Sequence, residues 1–179
     1  PAPRERAAAR PLPRPLTPLV GRDDDLAAVA AALDAARLVT LVGPGGIGKT
    51  RLALQSARRA ADRYGDGVRF VDLTAASDPA RLPDLVADAL GPSPDDSRTP
   101  AAQRLRDRLA ERHLLLVLDN GEHLRDACAA LCASLLPDCP GLGVLATSRQ
   151  ALGVPGERVL QVGPLAVPER DDLPPERMA

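Results

Sequence analysis

The residues best suited to chemistry lie in the segment GPGGIGKT, which runs from Gly43 to Thr50. The chain has 23 lysine and arginine residues, and Lys49 in this segment is the only lysine. A compact ammonium on a flexible stem can reach between the β- and γ-phosphates of a nucleotide, whereas a broad planar guanidinium fits such a loop poorly. The retained lysine therefore indicates a site for a nucleoside triphosphate.

The same segment matches the P-loop pattern GxxxxGK[ST]. Its glycines let backbone amides turn toward phosphate oxygens, and the N-terminus of a following helix adds a favourable field for negative charge. The hydroxyl of Thr50 is suited to binding Mg²⁺. The residues predicted to bind nucleotide in this loop are Gly43, Pro44, Gly45, Gly46, Ile47, Gly48, Lys49, Thr50 and Arg51.

A dinucleotide-binding fold is the competing interpretation of this loop. Gly43, Gly45 and Gly48 also fit GxGxxG, and Asp72 ends the second predicted strand, where a ribose-binding acid could lie. Such a fold has no use for a lysine directly after the third glycine, or for a separate apolar strand ending in Asp119. The P-loop needs both, so we favour it.

The apolar run HLLLVLDN carries the second group of candidate residues. Its composition is typical of a strand covered on both faces, and Asp119 at its end is the predicted Walker B acid, which contacts Mg²⁺ either directly or through a ligand of the ion, together with Thr50. The next residue is Asn120, whose amide can position a water molecule but cannot accept its proton near neutral pH. We therefore expect slow or no hydrolysis, with Glu122 as a weaker candidate for orienting water.

The segment ATSR ends a further predicted strand at Arg149. Its guanidinium could sense the γ-phosphate with Thr147 or Ser148 beside it, and the alternative is one more surface arginine. The residues predicted to act on the phosphates are Lys49, Asp119, Asn120 and Arg149. Guanine recognition usually needs an NKxD or TKxD segment, and the chain has no second lysine, so the sequence favours ATP or ADP.

Strands alternate with helices along the chain, which would place these residues together. Apolar runs predict strands over 37–42, 68–73, 113–120, 143–149 and 158–162. Helices are predicted over 23–37, after Lys49, from Ser77 or Asp78 to near Gly91, after Thr99 and Pro100, and over 124–135. This alternation indicates a three-layer α/β P-loop fold with a five-stranded parallel sheet, in the expected order 2-3-4-1-5, and ligand chemistry at the carboxyl ends of the strands.

Composition narrows the remaining possibilities. With 179 residues and 45% hydrophobic content, we expect one domain over 17–168, a Pro/Arg-rich linker over 1–16 and a C-terminal tail or truncated linker over 169–179. The net charge is -1 and aromatic residues are scarce, so we expect no direct contact with nucleic acid. No apolar run approaches 18 residues and no apolar signal region is present, which favours a cytoplasmic location without membrane contact. The three cysteines are expected to be buried free thiols.

Four segments, VGRDDDL, LVGPGGIGKTRLAL, LLLVLDNGEHL and GVLATSRQALGVPGE, together resemble the STAND class of regulatory ATPases, whose nucleotide-binding domain is NB-ARC-like. The closest likeness is to bacterial transcriptional regulators of the AfsR/SARP type and large ATP-binding LuxR-type regulators. It covers about residues 17–168. The resemblance implies that Val20, Gly21 and Arg22 lie near the adenine, that Asp119 is the Walker B acid and that Arg149 senses the γ-phosphate.

The same resemblance implies a switch that is closed with ADP and open or assembled with ATP. Its partners would be the other domains of a parent regulator and, in the ATP state, further copies. Gly121 stands where relatives often have cysteine, and the helical and winged-helix regions with their GLPL segment are missing, which predicts weak nucleotide binding. Two alternatives remain: a dinucleotide-binding module, and a P-loop phosphotransferase whose lid would be loop 91–99 with Arg104, Arg106, Arg108 and Arg112.

Overall fold

A computed structural model describes residues 12–15, 17–91 and 99–165. The strands are β1 (Leu38–Val42), β2 (Val68–Asp72), β3 (Leu114–Asp119), β4 (Leu142–Ser148) and β5 (Glu157–Gln161). The helices are α1 (Asp23–Ala35), α2 (Lys49–Ala60), α3 (Leu82–Ala89), α4 (Ala101–Leu109) and α5 (Arg125–Leu135). All strand pairs are parallel and the order is β2-β3-β4-β1-β5, so the predicted fold class and strand order are confirmed.

The register of the strands aligns their carboxyl ends at one edge of the sheet. Val42 of β1 is opposite Ser148 of β4, and Asp72 of β2 is opposite Asp119 of β3. Between β3 and β4 the register pairs Leu118 with Ala146. The next residues, Asp119 and Thr147, therefore lie side by side. The polar residues that end β2, β3 and β4 therefore lie at the same edge of the sheet as the loop that follows β1.

Two apolar clusters cover the two faces of the sheet, and β3 contributes to both. Leu114, Leu116 and Leu118 pack with α3, α4 and α5, whereas Leu115 and Val117 pack with α1 and α2. This alternation is what a central strand needs when helices cover both faces. The cluster toward α5 also contains the three cysteines, which are all buried and free, as predicted. Burial raises the pKa of Cys128 to about 11 and that of Cys132 to about 12.

Three boundaries differ from the simple helix pattern of the sequence. The segment after Asp119 begins as a 3₁₀ turn, Gly121–Leu124, before α5. A second 3₁₀ turn, Pro79–Arg81, precedes α3, and Asp78 caps it by accepting a hydrogen bond from the Ala80 amide at 2.9 Å. At α4 the N-cap position is Pro100, without a capping side-chain hydrogen bond. Hydrophobic periodicity does not distinguish a tight first turn from a regular one, so it extends helices too far.

Some sequence predictions fall outside the described residues. The predicted linker is described only at 12–15, the loop 91–99 only at its two end residues, and the tail 169–179 not at all. Within the described ranges, no helix is both long and apolar enough to cross a membrane.

Candidate nucleotide-binding site

The loop between β1 and α2 has the backbone shape and the open space that a phosphate cradle requires. Gly46 and Gly48 have φ angles of 77° and 99°, which only glycine adopts easily. A Cβ atom at either residue would meet nothing within 4 Å, so the space above the loop is open. Gly43 is glycine for another reason, because a Cβ there would lie 2.8 Å from the Val162 carbonyl oxygen. The loop therefore fits a bound phosphate chain.

Lys49 begins α2 and spans the loop with its side chain. Its ammonium donates hydrogen bonds to the carbonyl oxygens of Gly43 and Pro44, both at 2.9 Å. The residue is buried despite its charge. An ammonium has three donors, so one N–H remains for a phosphate oxygen when these two bonds are kept.

Three oxygen atoms from three elements meet at the end of β3. Asp119 Oδ1 accepts hydrogen bonds from Thr50 Oγ1 at 2.9 Å and from Thr147 Oγ1 at 2.6 Å. Burial raises the pKa of Asp119, and the hydrogen bonds from Thr147 and Thr50 oppose this rise. The carboxylate is only 2% exposed, so a cation beside it would offset a desolvation cost that the protein already bears.

The chemistry of this oxygen cluster fits Mg²⁺. Adjacent ligands of an octahedral Mg²⁺, at about 2.0–2.1 Å from the ion, lie about 2.9 Å apart. Thr50 Oγ1 and Asp119 Oδ1 already have this separation. No group of three or more His, Cys, Asp or Glu side chains in the described ranges could hold a metal alone, so phosphate oxygens and water would complete the coordination.

Asn120 follows Asp119 in a left-handed conformation, with φ at 59°. Its backbone amide donates to Thr147 Oγ1 at 3.0 Å, and its side-chain amide donates to Thr74 Oγ1 at 2.9 Å. These two bonds fix the turn between the ends of β2, β3 and β4. The predicted Asn120 therefore lies at the edge of the oxygen cluster.

Arg149 lies directly after β4 and reaches the glycine loop. Its Nε donates to Glu122 Oε1 at 3.2 Å, and Nη2 lies 3.7 Å from the position that a Cβ on Gly45 would occupy. The side chain is 66% exposed. The structure thus brings Arg149 to the same loop as Lys49, as its predicted role requires.

Arg22 connects three segments at the other end of the loop. Its guanidinium is buried and donates to Asp25, to the Gly163 carbonyl at 2.8 Å and to the Ile47 carbonyl at 2.9 Å. These contacts position the glycine loop against the chain that follows β5. The three hydrogen bonds direct the guanidinium toward protein groups. A direct contact of Arg22 with adenine therefore stays a prediction.

Val20 and Leu165 form an exposed apolar edge next to Arg22. Val20 is 72% exposed and Leu165 is 53% exposed, whereas most large apolar side chains of the described residues are buried. A Cβ on Gly21 would lie 3.7 Å from Leu165 Cδ2, so the segments that carry the two side chains are adjacent. Such an edge can contact the flat face of a base.

The side chain of Arg51 points away from the loop. Its Nη2 donates to the carbonyl oxygens of Thr17 and Pro18 and to Thr17 Oγ1, at 2.9 to 3.0 Å. If Arg51 binds nucleotide, its backbone amide at the start of α2 is the group available.

Sequence reasoning missed the bond of Thr147 to Asp119, and named Thr147 only as a neighbour of Arg149. The signal for it was the register between β3 and β4.

Residues 32–151 match the family described as the AAA domain, and the chain belongs to this family. The fold and the loop together define the class as a P-loop α/β domain, and domains of this class generally bind nucleotide with Mg²⁺. Over 131 residues the chain is 45% identical to a protein of Mycobacterium bovis named as an HTH-type transcriptional regulator. That match covers 73% of this chain and 14% of the regulator's length.

A second relative is regulatory protein AfsR of Streptomyces griseus, which is 36% identical over 119 residues, 61% of this chain and 11% of AfsR. Both matches span only a small part of the relatives' lengths. The resemblance to P-loop domains of AfsR-type regulators, predicted from four motif segments, is confirmed by these relatives and by the family match.

Solved structures share the fold. A Signal Transduction ATPase with Numerous Domains (STAND) protein with a tetratricopeptide repeat sensor, from Pyrococcus horikoshii, superimposes with a TM-score of 0.56 at 20% identity, over 84% of this chain and 24% of that one. Cdc6p of Pyrobaculum aerophilum gives a TM-score of 0.59 at 18% identity, over 86% and 47%. At these identities the likeness concerns the fold alone.

Proposed function

We propose that residues 17–168 form the ATP/ADP-binding switch domain of a multidomain transcriptional regulator, with slow or no intrinsic hydrolysis. The observation that carries this proposal is the oxygen cluster of Asp119 with Thr50 and Thr147, at hydrogen-bond distances behind a glycine loop that Lys49 spans. In this proposal Lys49 and the loop amides bind the phosphates. Thr50 and Asp119 hold Mg²⁺, which would neutralise charge on the phosphates when bound.

The adenine is proposed to lie against the exposed edge of Val20 and Leu165. This places the base at one end of the glycine loop and the γ-phosphate at the other, where Arg149 reaches Gly45. Arg22 would hold the base end together, because it bonds both the loop and the segment after β5. A base at this edge would cover apolar surface that is otherwise exposed to water.

Slow turnover is proposed because the groups beside Asp119 are poor bases. Asn120 offers an amide, and its position is fixed by Thr147 and Thr74. Glu122 is a weak substitute, because it lies in the turn after Asn120 and not directly after Asp119. Binding of ATP, rather than its consumption, would then carry information by favouring one of two conformations.

The relatives support a regulatory setting. They are named as regulators, and this chain matches a minor part of each. We propose that the partners are the other domains of the parent protein and, in the ATP state, other copies of it. We also propose that the protein acts in the cytoplasm and that this segment makes no direct contact with DNA.

The phosphotransferase alternative receives less support, because the arginines assigned to its lid are already bonded. Arg104 donates to the Thr99 carbonyl and pairs with Asp84, and Arg108 donates to carbonyl oxygens of Ala87 and Gly91. These contacts attach α4 to α3. ADP formation that an acceptor molecule stimulates would favour this alternative.

Isothermal titration of ATP and ADP, with and without Mg²⁺, tests the proposal on the wild-type chain and on Lys49→Ala. We expect the substitution to lower ATP affinity about 10- to 100-fold, since it removes charge-assisted hydrogen bonds. Arg59→Ala is the matched control, because Arg59 lies on the same helix and is half exposed, 3.6 Å from Asp23. An unchanged ATP affinity in Lys49→Ala, with the fold intact by circular dichroism, would contradict the assignment.

A further inference from the structure

The pair formed by Glu122 and Arg149 connects the turn after β3 to the glycine loop. Glu122 Oε1 accepts from Arg149 Nε at 3.2 Å, and Nη2 of the same guanidinium lies beside Gly45. The other carboxylate oxygen, Oε2, is buried and has no hydrogen-bond partner. One arginine thus lies between a protein carboxylate and the loop that would hold a triphosphate.

We infer that Glu122 sets the preference between ATP and ADP, because its carboxylate competes with the terminal phosphate for Arg149. This inference rests on the proposed function, in which Arg149 contacts the γ-phosphate. ADP lacks that group, so ADP leaves the ion pair intact. ATP binding separates it.

The two partners differ in how freely they move. Arg149 is 66% exposed and Glu122 is 28% exposed, so the guanidinium can turn toward the loop while the carboxylate stays. A phosphate accepts two parallel N–H bonds from a guanidinium and carries more charge than a carboxylate, which makes it the stronger partner. An exposed ion pair is weak enough for this exchange.

Glu122 is held by contacts on both sides of it in the turn. Asn120 is bonded through its backbone to Thr147, and His123 Nε2 lies 2.7 Å from the Ala76 carbonyl oxygen. Leu124 is buried in the core toward α5. The carboxylate therefore cannot follow Arg149 without rearranging the turn.

Separation of the ion pair costs free energy, and this cost lowers the affinity for ATP but not for ADP. When Arg149 leaves, the partly buried carboxylate loses the hydrogen bond at Oε1, and Oε2 already has none. A buried oxygen without a partner is unfavourable, and a buried charge more so. Glu122 is therefore a specificity-determining residue that lowers the affinity for ATP relative to ADP.

The test is a double-mutant cycle with the whole chain and Mg²⁺. ATP and ADP affinities are measured by isothermal titration for the wild type, Glu122→Gln, Arg149→Ala and the double variant. We expect Glu122→Gln to raise the ATP-to-ADP affinity ratio about two- to fivefold, the range of a weak ion pair. In the Arg149→Ala background the same substitution should leave the ratio unchanged.

Asp126→Asn is the matched control, since it removes one negative charge four residues along the chain and leaves the pair untouched. Asp126 is 89% exposed and pairs with Arg125. We expect it to change neither affinity.

Two results would overturn the inference: an unchanged ratio in Glu122→Gln, or an equal rise in the Arg149→Ala background, which would indicate general charge repulsion. If the wild type binds ATP and Lys49→Ala weakens it, these results refute the inference alone. If the wild type binds neither nucleotide, the proposed function fails and the inference fails with it.

Discussion

The two ends of the sheet use glycine for opposite purposes. At the carboxyl end, Gly46 and Gly48 have positive φ angles and open space where a side chain would be. At the amino end, a Cβ on Gly141 would lie 2.4 Å from the Arg112 carbonyl oxygen, and one on Gly143 would lie 2.5 Å from the Tyr64 hydroxyl. Gly46 and Gly48 thus leave open space at the carboxyl end, whereas Gly141 and Gly143 allow close packing at the amino end, as Gly43 does beside Val162.

Titratable groups follow the same division. Tyr64 and His113 lie at the amino end with ring centroids 5.1 Å apart, beside a cavity of about 190 Å³. There, burial raises the pKa of Tyr64 and the ring fills space. At the carboxyl end, Asp119 is buried and accepts hydrogen bonds from the hydroxyl groups of Thr50 on α2 and Thr147 on β4. The difference teaches that polar burial at the carboxyl end fits the proposed ligand, whereas burial at the amino end fills the core.

The largest expected effect comes from replacing one glycine of each kind by alanine and comparing the losses of stability. Gly141→Ala should lower the free energy of unfolding by about 3 kcal/mol, because the new methyl group meets a backbone atom that cannot move aside. Gly46→Ala should cost only about 1 kcal/mol, from its positive φ angle. Urea denaturation measures both values, and titration should show that Gly46→Ala weakens ATP binding more than Gly141→Ala does. Equal losses of stability would abolish the contrast between the two ends.

A smaller effect sharpens the contrast within the sheet, where Thr147 and Thr40 are both buried. Thr147→Val should lower the free energy of unfolding by about 2 kcal/mol, since it removes the bond to Asp119 and leaves the Asn120 amide without its acceptor. Thr40→Val should be neutral or stabilising, because the Thr40 hydroxyl has no hydrogen-bond partner. Thermal or urea unfolding compares them. If both substitutions behaved alike, the oxygen cluster would have no special role.

The smallest effect concerns Asp119 and depends on pH. Its pKa in the folded chain is raised above the ordinary 3.8, mainly by burial, so the folded state binds the proton more tightly than the unfolded state. The desolvation cost is therefore fully present above the folded pKa and disappears as the pH falls through it. Asp119→Asn should raise the free energy of unfolding at pH 7 by about 1 kcal/mol, and this gain should shrink on acidification.

The measurement for Asp119 is urea unfolding at several pH values, with a chelator present. Asp62→Asn is the control, since Asp62 is exposed and takes no part in the oxygen cluster, and surface substitutions usually change stability by less than about 0.5 kcal/mol. The same Asp119→Asn variant should lose the Mg²⁺ dependence of ATP binding. A stability gain that persists unchanged at low pH would show that the buried charge is not its cause.

The sequence predicted the strands and the positions of the glycine loop after β1 and of Asp119 at the end of β3, because these signals are local. Largely apolar runs of five to eight residues marked each strand, and the P-loop pattern lies within eight consecutive residues. The turns before α3 and α5 were less predictable, since a 3₁₀ turn and an α-helical turn bury similar residues. The side-chain direction of Arg51 was also beyond the pattern, because its partners lie 33 and 34 residues away.

The sequence by itself determined which segments are strands, which loop suits phosphate and which carboxylate follows a buried strand. Only the tertiary structure decided which side chains meet: Thr147 with Asp119, Glu122 with Arg149, and Arg22 with Gly163 across 141 residues of chain. The physical reason is that periodicity reports burial and backbone conformation one segment at a time. Contacts between segments depend on strand order and register, which arise when the apolar faces of all the elements pack together.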